Sequence, residues 1–206
     1  MDWWTNKRFR MIQNNLRDID ACMDINKYVD TLKQFHANAC MVGCGGITAF
    51  YPTNLDFQKR SNYLRNDFFG MLLKKCHEND IRVIARFDFS KTNIEFLSGH
   101  PEWFSVSVEG NPVLFNDTAA TCVNGPYQQE KSLLILEEVL EKYPVDGVFF
   151  NMFGYQTSDY NNHYVGICQC EHCKKRFHEY SGTTLPTEEN PEDPVFRKYQ
   201  EFKKYT

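Results

Sequence analysis

Three thiols fall within six residues, Cys168, Cys170 and Cys173, in the run Cys-Gln-Cys-Glu-His-Cys. Thiols at this spacing can converge on one tetrahedral metal ion, and Zn²⁺ is the usual occupant of a thiolate site. A closed structural site needs a fourth ligand. Cys122, in Thr-Cys-Val-Asn-Gly-Pro-Tyr127, is the first candidate because its loop lies on the same face of a parallel sheet as the triplet; His172 and His178 are the alternatives. A retroviral-type zinc knuckle is excluded, because no cysteine follows His178. Cys170-Glu-His-Cys173 at a helix start also fits a redox C-x-x-C pair, where the helix dipole lowers a thiol pKa. The intervening loop from Phe153 to Ile167 and the third thiol favour metal. Cys22, Cys40, Cys44 and Cys76 fall on apolar stretches and read as small buried hydrophobes.

A second group of polar residues sits where strands are expected to end. In α/β proteins with parallel strands, chemistry is carried at the C-terminal ends. Those positions are Asn15 and Arg17 after a first strand, the stretch up to Tyr51 after a second, Arg86 and Asp88 at a third, and Asn151 at a fourth, with Tyr155 in the loop beyond it. Strand alternation places Arg86 and Asp88 on one face, as a structural ion pair or as substrate contacts. Asp88 and Asp159 are the candidate catalytic acids. His100-Pro-Glu-Trp103 offers an imidazole, an acid and an aromatic platform suited to a sugar face, although Trp103 reads equally as core. Gly43-Cys-Gly-Gly46 lacks the spacing of a phosphate-cradling loop and reads as a tight turn.

The elements that must position these residues alternate between strand and helix. Met11 to Asn14 is a strand. Asp24 caps a helix to His36 with Tyr28, Val29, Leu32 and Phe35 on one face, and Ala39 to Cys44 is a buried strand closed by two glycines. A helix from about Asn66 to Asn79 turns Phe69, Leu72, Leu73 and Cys76 inward, and Ile81 to Phe87 is the third strand. Trp103–Val108 and Pro112–Phe115 flank Glu109-Gly-Asn111 as a β-hairpin. Pro126 starts a helix to about Tyr143 on Leu133, Leu136, Val139 and Leu140, and Val145 to Asn151 is the fourth strand. A helix from Glu171 to Tyr180 ends at Gly182, and Asp193-Pro194 starts another. Repeated strand–helix units imply a parallel sheet covered by helices. Four of them make the N-terminal half of a (β/α)₈ TIM barrel, which needs roughly 250 residues when complete, with a β-hairpin insertion after strand three. The expected organisation is one partial barrel domain over residues 1–206.

Composition narrows the function. The chain has 206 residues, a formal net charge of −4 and no Lys/Arg block, which argues against nucleic acid as a partner. No apolar run reaches membrane-spanning length, and Met1-Asp-Trp-Trp4 does not begin a secretory signal, so a cytoplasmic location is expected. Eight cysteines in such a chain read as reduced thiols and metal ligands.

Arg10-Met-Ile-Gln-Asn-Asn-Leu-Arg17, Arg86-Phe-Asp-Phe-Ser90, His100-Pro-Glu-Trp103, Cys122-Val-Asn-Gly-Pro-Tyr127, Asp146-Gly-Val-Phe-Phe-Asn151 and the cysteine triplet followed by Lys-Lys-Arg-Phe177 form an ordered series. Together they resemble glycoside hydrolases of the hypothetical glycosyl hydrolase 6 type, which are distantly similar to family 42 β-galactosidases. The resemblance runs from about Trp3 to Tyr199. It implies a (β/α)₈ barrel with a carbohydrate substrate and a structural zinc held by Cys122, Cys168, Cys170 and Cys173. It also implies an Asn-Glu pair at the end of the fourth strand, with the Glu as acid/base, and a second Glu at the seventh strand. Asn151 matches the Asn, but Met152 follows it and cannot transfer a proton. Asp159, Asp88 or Glu102 would have to take the role, or the group is not a conventional hydrolase.

Three functions therefore compete: a carbohydrate-active barrel, inactive alone if it stops short of the seventh-strand carboxylate; a non-catalytic zinc-stabilised module binding carbohydrate or protein; and a thiol oxidoreductase. A half barrel also leaves sheet edges open, which predicts a homo-oligomer or pairing with the missing C-terminal half.

Overall fold

The computed structural model describes residues 3–5 and 8–206; Met1 and Asp2, at the start of the stretch read above as no secretory signal, lie outside them. In chain order the strands are β1 (Met11–Asn14), β2 (Ala39–Gly46), β3 (Arg82–Asp88), β4 (Lys91–Asn93), β5 (Leu114–Phe115), β6 (Thr118–Ala120) and β7 (Gly147–Asn151). The α-helices are α1 (Ile25–Gln34), α2 (Phe68–His77), α3 (Ser132–Lys142), α4 (Glu171–Ser181) and α5 (Pro194–Phe202). They form two compact units: the chain up to Asp88 together with Ile135–Asn151, and Phe89–Leu134 together with Met152–Thr206. Among the described residues no helix is long and apolar enough to cross a membrane.

The first unit is built on a parallel sheet in the order β1-β2-β3-β7. Every residue of β2 is buried, as befits a central strand with both faces covered. The strand does not stop at Cys44 but continues through Gly45 and Gly46. A bulge between Gly43 and Gly45 lets it follow β3 to Asp88. A Cβ on Gly46 (φ 102°) would sit 2.1 Å from the Asp88 carbonyl oxygen, so only glycine permits the approach. The two glycines are strand residues, neither a turn nor a phosphate cradle.

The helices of this unit follow the apolar spacing with two corrections. Asp24 caps α1 by accepting from the amides of Asn26 and Lys27 at 2.9 and 3.1 Å. Val29 and Leu32 are buried, but the helix ends at Gln34 and His36 turns with φ 52°. Phe35 lies beyond the last helical residue, leaves the expected face and is 65% exposed. α2 turns Phe69, Leu72, Leu73 and Cys76 inward as expected. α3 is preceded by a π-turn over Tyr127–Lys131, whose wider spacing shifts the phase of the helix after it. Ile135 and Val139 are buried, while Leu133 and Leu140, expected on the inner face, are exposed.

In the second unit the ladder runs β4-β6-β5, all antiparallel. The expected hairpin about Glu109-Gly-Asn111 survives as a turn, with the Ser107 amide on the Asn111 carbonyl at 2.8 Å and a single bridge between Val106 and Pro112. Pro112 has no N–H to extend the pairing, so the regular strands form further along. α4 ends where Gly182 adopts φ 69°, and Asp193 caps α5 through the Val195 amide at 2.8 Å.

One carboxylate fastens the loop after β2 to α3. Glu138 accepts from Tyr51 Oη at 2.8 Å, Thr53 Oγ1 at 2.5 Å, the Asn54 amide at 2.7 Å and Lys142 Nζ at 2.9 Å. Burial alone would raise its pKa, but the Asn54 amide, Lys142 and the two hydroxyls outweigh that and hold it below the ordinary glutamate value. A depressed folded pKa stabilises fully above the unfolded value and is lost as pH falls through the folded one. Glu138→Gln is expected to cost about 1–3 kcal/mol at pH 7, measured by urea unfolding. The gap between variant and parent should narrow as the pH is taken below about 4; a gap that holds at every pH would refute the role of the ionised carboxylate.

Candidate metal centre and strand-end cluster

The four cysteines converge. Cys122 Sγ lies 3.3 Å from Cys173 Sγ, 3.4 Å from Cys170 Sγ and 3.9 Å from Cys168 Sγ, and all four sulfurs lie within 4.8 Å of one another. A tetrahedral ion with metal–sulfur bonds of about 2.3 Å places its sulfurs about 3.8 Å apart, so the spacing fits a metal ion. Local structure sets each ligand. Cys170 is the N-cap of α4, which brings Cys173 round by one turn; Cys122 precedes the turn Val123–Pro126.

N–H donors aim at the sulfurs. The Val106 amide reaches Cys168 Sγ at 3.4 Å, the Asn124 amide reaches Cys122 Sγ at 3.3 Å and the Asn124 side-chain amide reaches Cys173 Sγ at 3.3 Å. Such donors stabilise thiolates and orient metal ligands. Their crowding splits the thiols. Cys168 and Cys170 are drawn below the usual thiol range, chiefly by their contact with Cys122. Cys122 is pushed up chiefly by Cys168, and Cys173 chiefly by Cys122. A shared cation removes that competition.

The centre is also a packing node, with Ile167, Phe177, Leu185, Phe196, Tyr199 and Phe202 around it. Cys170 and Cys173 are buried, which closes them to the disulfide substrate that a redox pair needs. The alternative fourth ligands are elsewhere: His178 Nδ1 faces the Thr183 carbonyl at 3.3 Å, and His172 lies outside the sulfur cluster. Asn124 was not singled out from the sequence. Its signal is position, because the amide two residues after a ligating cysteine commonly turns back to the sulfur.

At the ends of β3 and β7 a second cluster forms. The register pairs Asp88 with Asn151, and Asn151 Nδ2 donates to Asp88 Oδ2 at 2.7 Å. Arg86 Nη2 lies 3.8 Å from the same oxygen, and its buried Nε has no partner among the described residues. A cavity of about 130 Å³ adjoins Arg86 and Asp88, lined also by Leu16, Gly43, Thr48 and Phe50. Arg86, Asp88 and Asn151 are thus brought together, with one Arg86 N–H unpartnered among the described residues and the cavity beside the first two.

The remaining predicted site residues have other employment. Arg17 caps its own short turn through Asp20, with its guanidinium 3.2 Å from that carboxylate, and Asn15 accepts from Gln13 at 3.2 Å. Tyr51 is fully buried on Glu138 and presents no face to a ligand. Trp103 is 2% exposed, stacked on His100 at 3.9 Å, so it is core and no platform. Tyr155 Oη accepts from Asn124 at 3.0 Å and contacts Thr206 Oγ1 at 2.5 Å, which ties it to the metal centre. Asp159 organises its own turn, accepting from the amides of Asn161 and His163 at 2.8 Å each. Burial works against its ionisation, but the His163 and Asn161 amides prevail and keep its pKa below the ordinary value, a poor setting for a general acid. Met152 adopts φ 51°, an unusual conformation for a side chain of its kind.

Residues 24–152 match the family described as "Hypothetical glycosyl hydrolase 6", and the chain belongs to that family. No functionally curated protein matches the sequence. Among solved structures, α-L-fucosidase isoenzyme 2 from Paenibacillus thiaminolyticus aligns with TM-score 0.69 at 20% identity, over 95% of this chain and 29% of the fucosidase. The cold-adapted β-galactosidase from Rahnella sp. R3 aligns with TM-score 0.55 at 20% identity, over 84% of this chain and 24% of that enzyme. A hypothetical protein from Ruminiclostridium thermocellum aligns with TM-score 0.57 at 20% identity, over 70% of this chain and 77% of that protein. The fold is therefore that of part of a TIM-barrel glycoside hydrolase, and the chain spans less than a third of the two enzymes.

Elemental analysis of the purified chain is expected to find one metal ion per polypeptide, and Cys122→Ser is expected to lose it. Chelation should lower Tm by about 10 °C or more, followed by circular dichroism. A metal-free chain with the same Tm would refute the centre.

Proposed function

We propose that this chain is a carbohydrate-active part of a glycoside-hydrolase barrel, in which Arg86, Asp88 and Asn151 hold a sugar and the four cysteines hold a structural Zn²⁺. The observation that carries the reading is the Arg86–Asp88–Asn151 cluster, at the C-terminal ends of parallel strands in a chain of this family. An amide, a carboxylate and a guanidinium with an unused N–H match the alternating donors and acceptors of vicinal hydroxyls. The all-sulfur ligand set, buried and spaced for a tetrahedral ion, supports zinc over harder metals. Its role is to brace α4, α5 and the Cys122 turn.

Hydrolysis requires two carboxyl groups facing each other across the bond, about 5–10 Å apart. The resemblance calls for one at position 152, where Met152 stands, and for the other at a seventh strand, so Asp88 would have to take the acid/base role. The second reading, a zinc-stabilised module that binds carbohydrate or protein without cleaving it, is favoured by Met152 and by the turn-bound carboxylate of Asp159. Turnover of aryl-glycosides separates the two readings. The 130 Å³ cavity and the family support sugar as the ligand class.

The edge strand β7 exposes Val148, Phe149 and Phe150. An open, apolar edge of this kind fits a further parallel strand, from additional barrel units or from a second copy. The chain of 206 residues is expected to self-associate in gel filtration with light scattering, and a monomer at high concentration would count against this.

Asp88→Asn and Arg86→Met are each expected to weaken monosaccharide binding about tenfold or more, read by NMR titration. Tyr51→Phe, buried away from solvent, should leave it unchanged. Equal affinities for all four proteins would sink the assignment.

A further inference from the structure

Lys91, the first residue of β4, is 2% exposed. Among the described residues its Nζ has one polar contact, Ser90 Oγ at 3.2 Å, and otherwise faces two aromatic rings, Phe115 at 4.8 Å and Tyr160 at 5.2 Å. No acidic group among the described residues lies within ion-pair distance of it. Burying an ammonium away from a counter-ion is strongly unfavourable, and two ring faces recover only a part of that cost. A fold that needed only to fill this space would use methionine or leucine.

The two walls differ. Phe115 is buried in a small apolar cluster with Val113 and Ala120, and so is fixed. Tyr160 is 68% exposed and touches the site only by its ring, edge-on to Phe115 at 5.0 Å. Its turn is held by Asp159 and by the Ser158–Tyr164 bridge, neither of which involves the phenol side chain. Rotation of that one side chain would withdraw one of the two rings from the ammonium without breaking the hydrogen bonds of the turn.

We propose that Lys91 is the anion-holding group of a second subsite, gated by the Tyr160 ring, for a carboxylate or sulfate ester carried on a sugar. The arriving oxyanion exchanges the Tyr160 cation–π contact for charge-assisted hydrogen bonds from Nζ, and the displaced phenol can pack on the ligand. The anion site stands on Lys91 alone; the sugar that carries it rests on the carbohydrate reading above.

The test titrates the full chain with inorganic sulfate, galacturonate, galactose 6-sulfate and galactose, following heat and the Lys91 ¹³Cε shift. Sulfate and both acidic sugars should bind and move that shift, and galactose should leave it in place. Lys91→Met should weaken sulfate binding about tenfold or more while Tm is unchanged or higher, because an unpaired buried charge has gone. Tyr160→Ala should tighten sulfate about threefold by removing the competing ring; this arm carries the test if Lys91→Met does not fold. A Lys91 signal untouched by every anion in both the parent and Tyr160→Ala overturns the proposal, as does sulfate binding that survives Lys91→Met. If sulfate binds through Lys91 but the acidic sugars add nothing to it, the anion site stands and the carbohydrate reading falls. If galactose binds and no anion needs Lys91, the reverse holds.

Discussion

Four sulfurs held within 4.8 Å, in an apolar surround, set the terms for the second unit. Thiolates so close repel one another, and thiols so placed waste their polarity, unless a cation takes them all. The N–H donors from Val106 and Asn124 already favour the charged form. The packing of α4 and α5, on Phe177, Tyr199 and Phe202, is laid around this point. An ion held by all four would have no open position, so such a centre would brace loops and do no chemistry of its own.

The proposed sugar site lies instead at the ends of the parallel strands. Parallel pairing puts Asp88 opposite Asn151, and strand alternation returns Arg86 to the same side. The glycines of β2 allow the neighbouring strand to follow β3 to its last residue, so the cluster is carried on a rigid floor. What the cluster lacks is a second carboxylate. Were the proposed site hydrolytic, Met152 would leave the acid's role to another group.

Much of this was legible without coordinates. The strand Met11–Asn14, the third strand to within a residue (expected over Ile81–Phe87, found over Arg82–Asp88), the caps Asp24 and Asp193, the stop at Gly182 and the inward face of α2 come from spacing and capping chemistry alone. Phe35, Leu133 and Leu140 did not. A helix end and a π-turn alter the phase of a repeat, and apolar spacing carries no record of either. Tyr51, Trp103, Arg17 and Asp159 have the residue types of a binding site, yet each is committed to a neighbour in the folded chain.

The amino-acid sequence by itself determined the alternation of strand and helix, the family and the Cys168–Cys170–Cys173 triplet, because period, capping residues and short spacings act locally. Only the tertiary structure decided that Cys122 meets a triplet 46 to 51 positions away, that Arg86 Nε has no partner among the described residues, and that Lys91 lies buried between two rings. Partnership and burial are properties of distant segments brought together, and no local pattern encodes them.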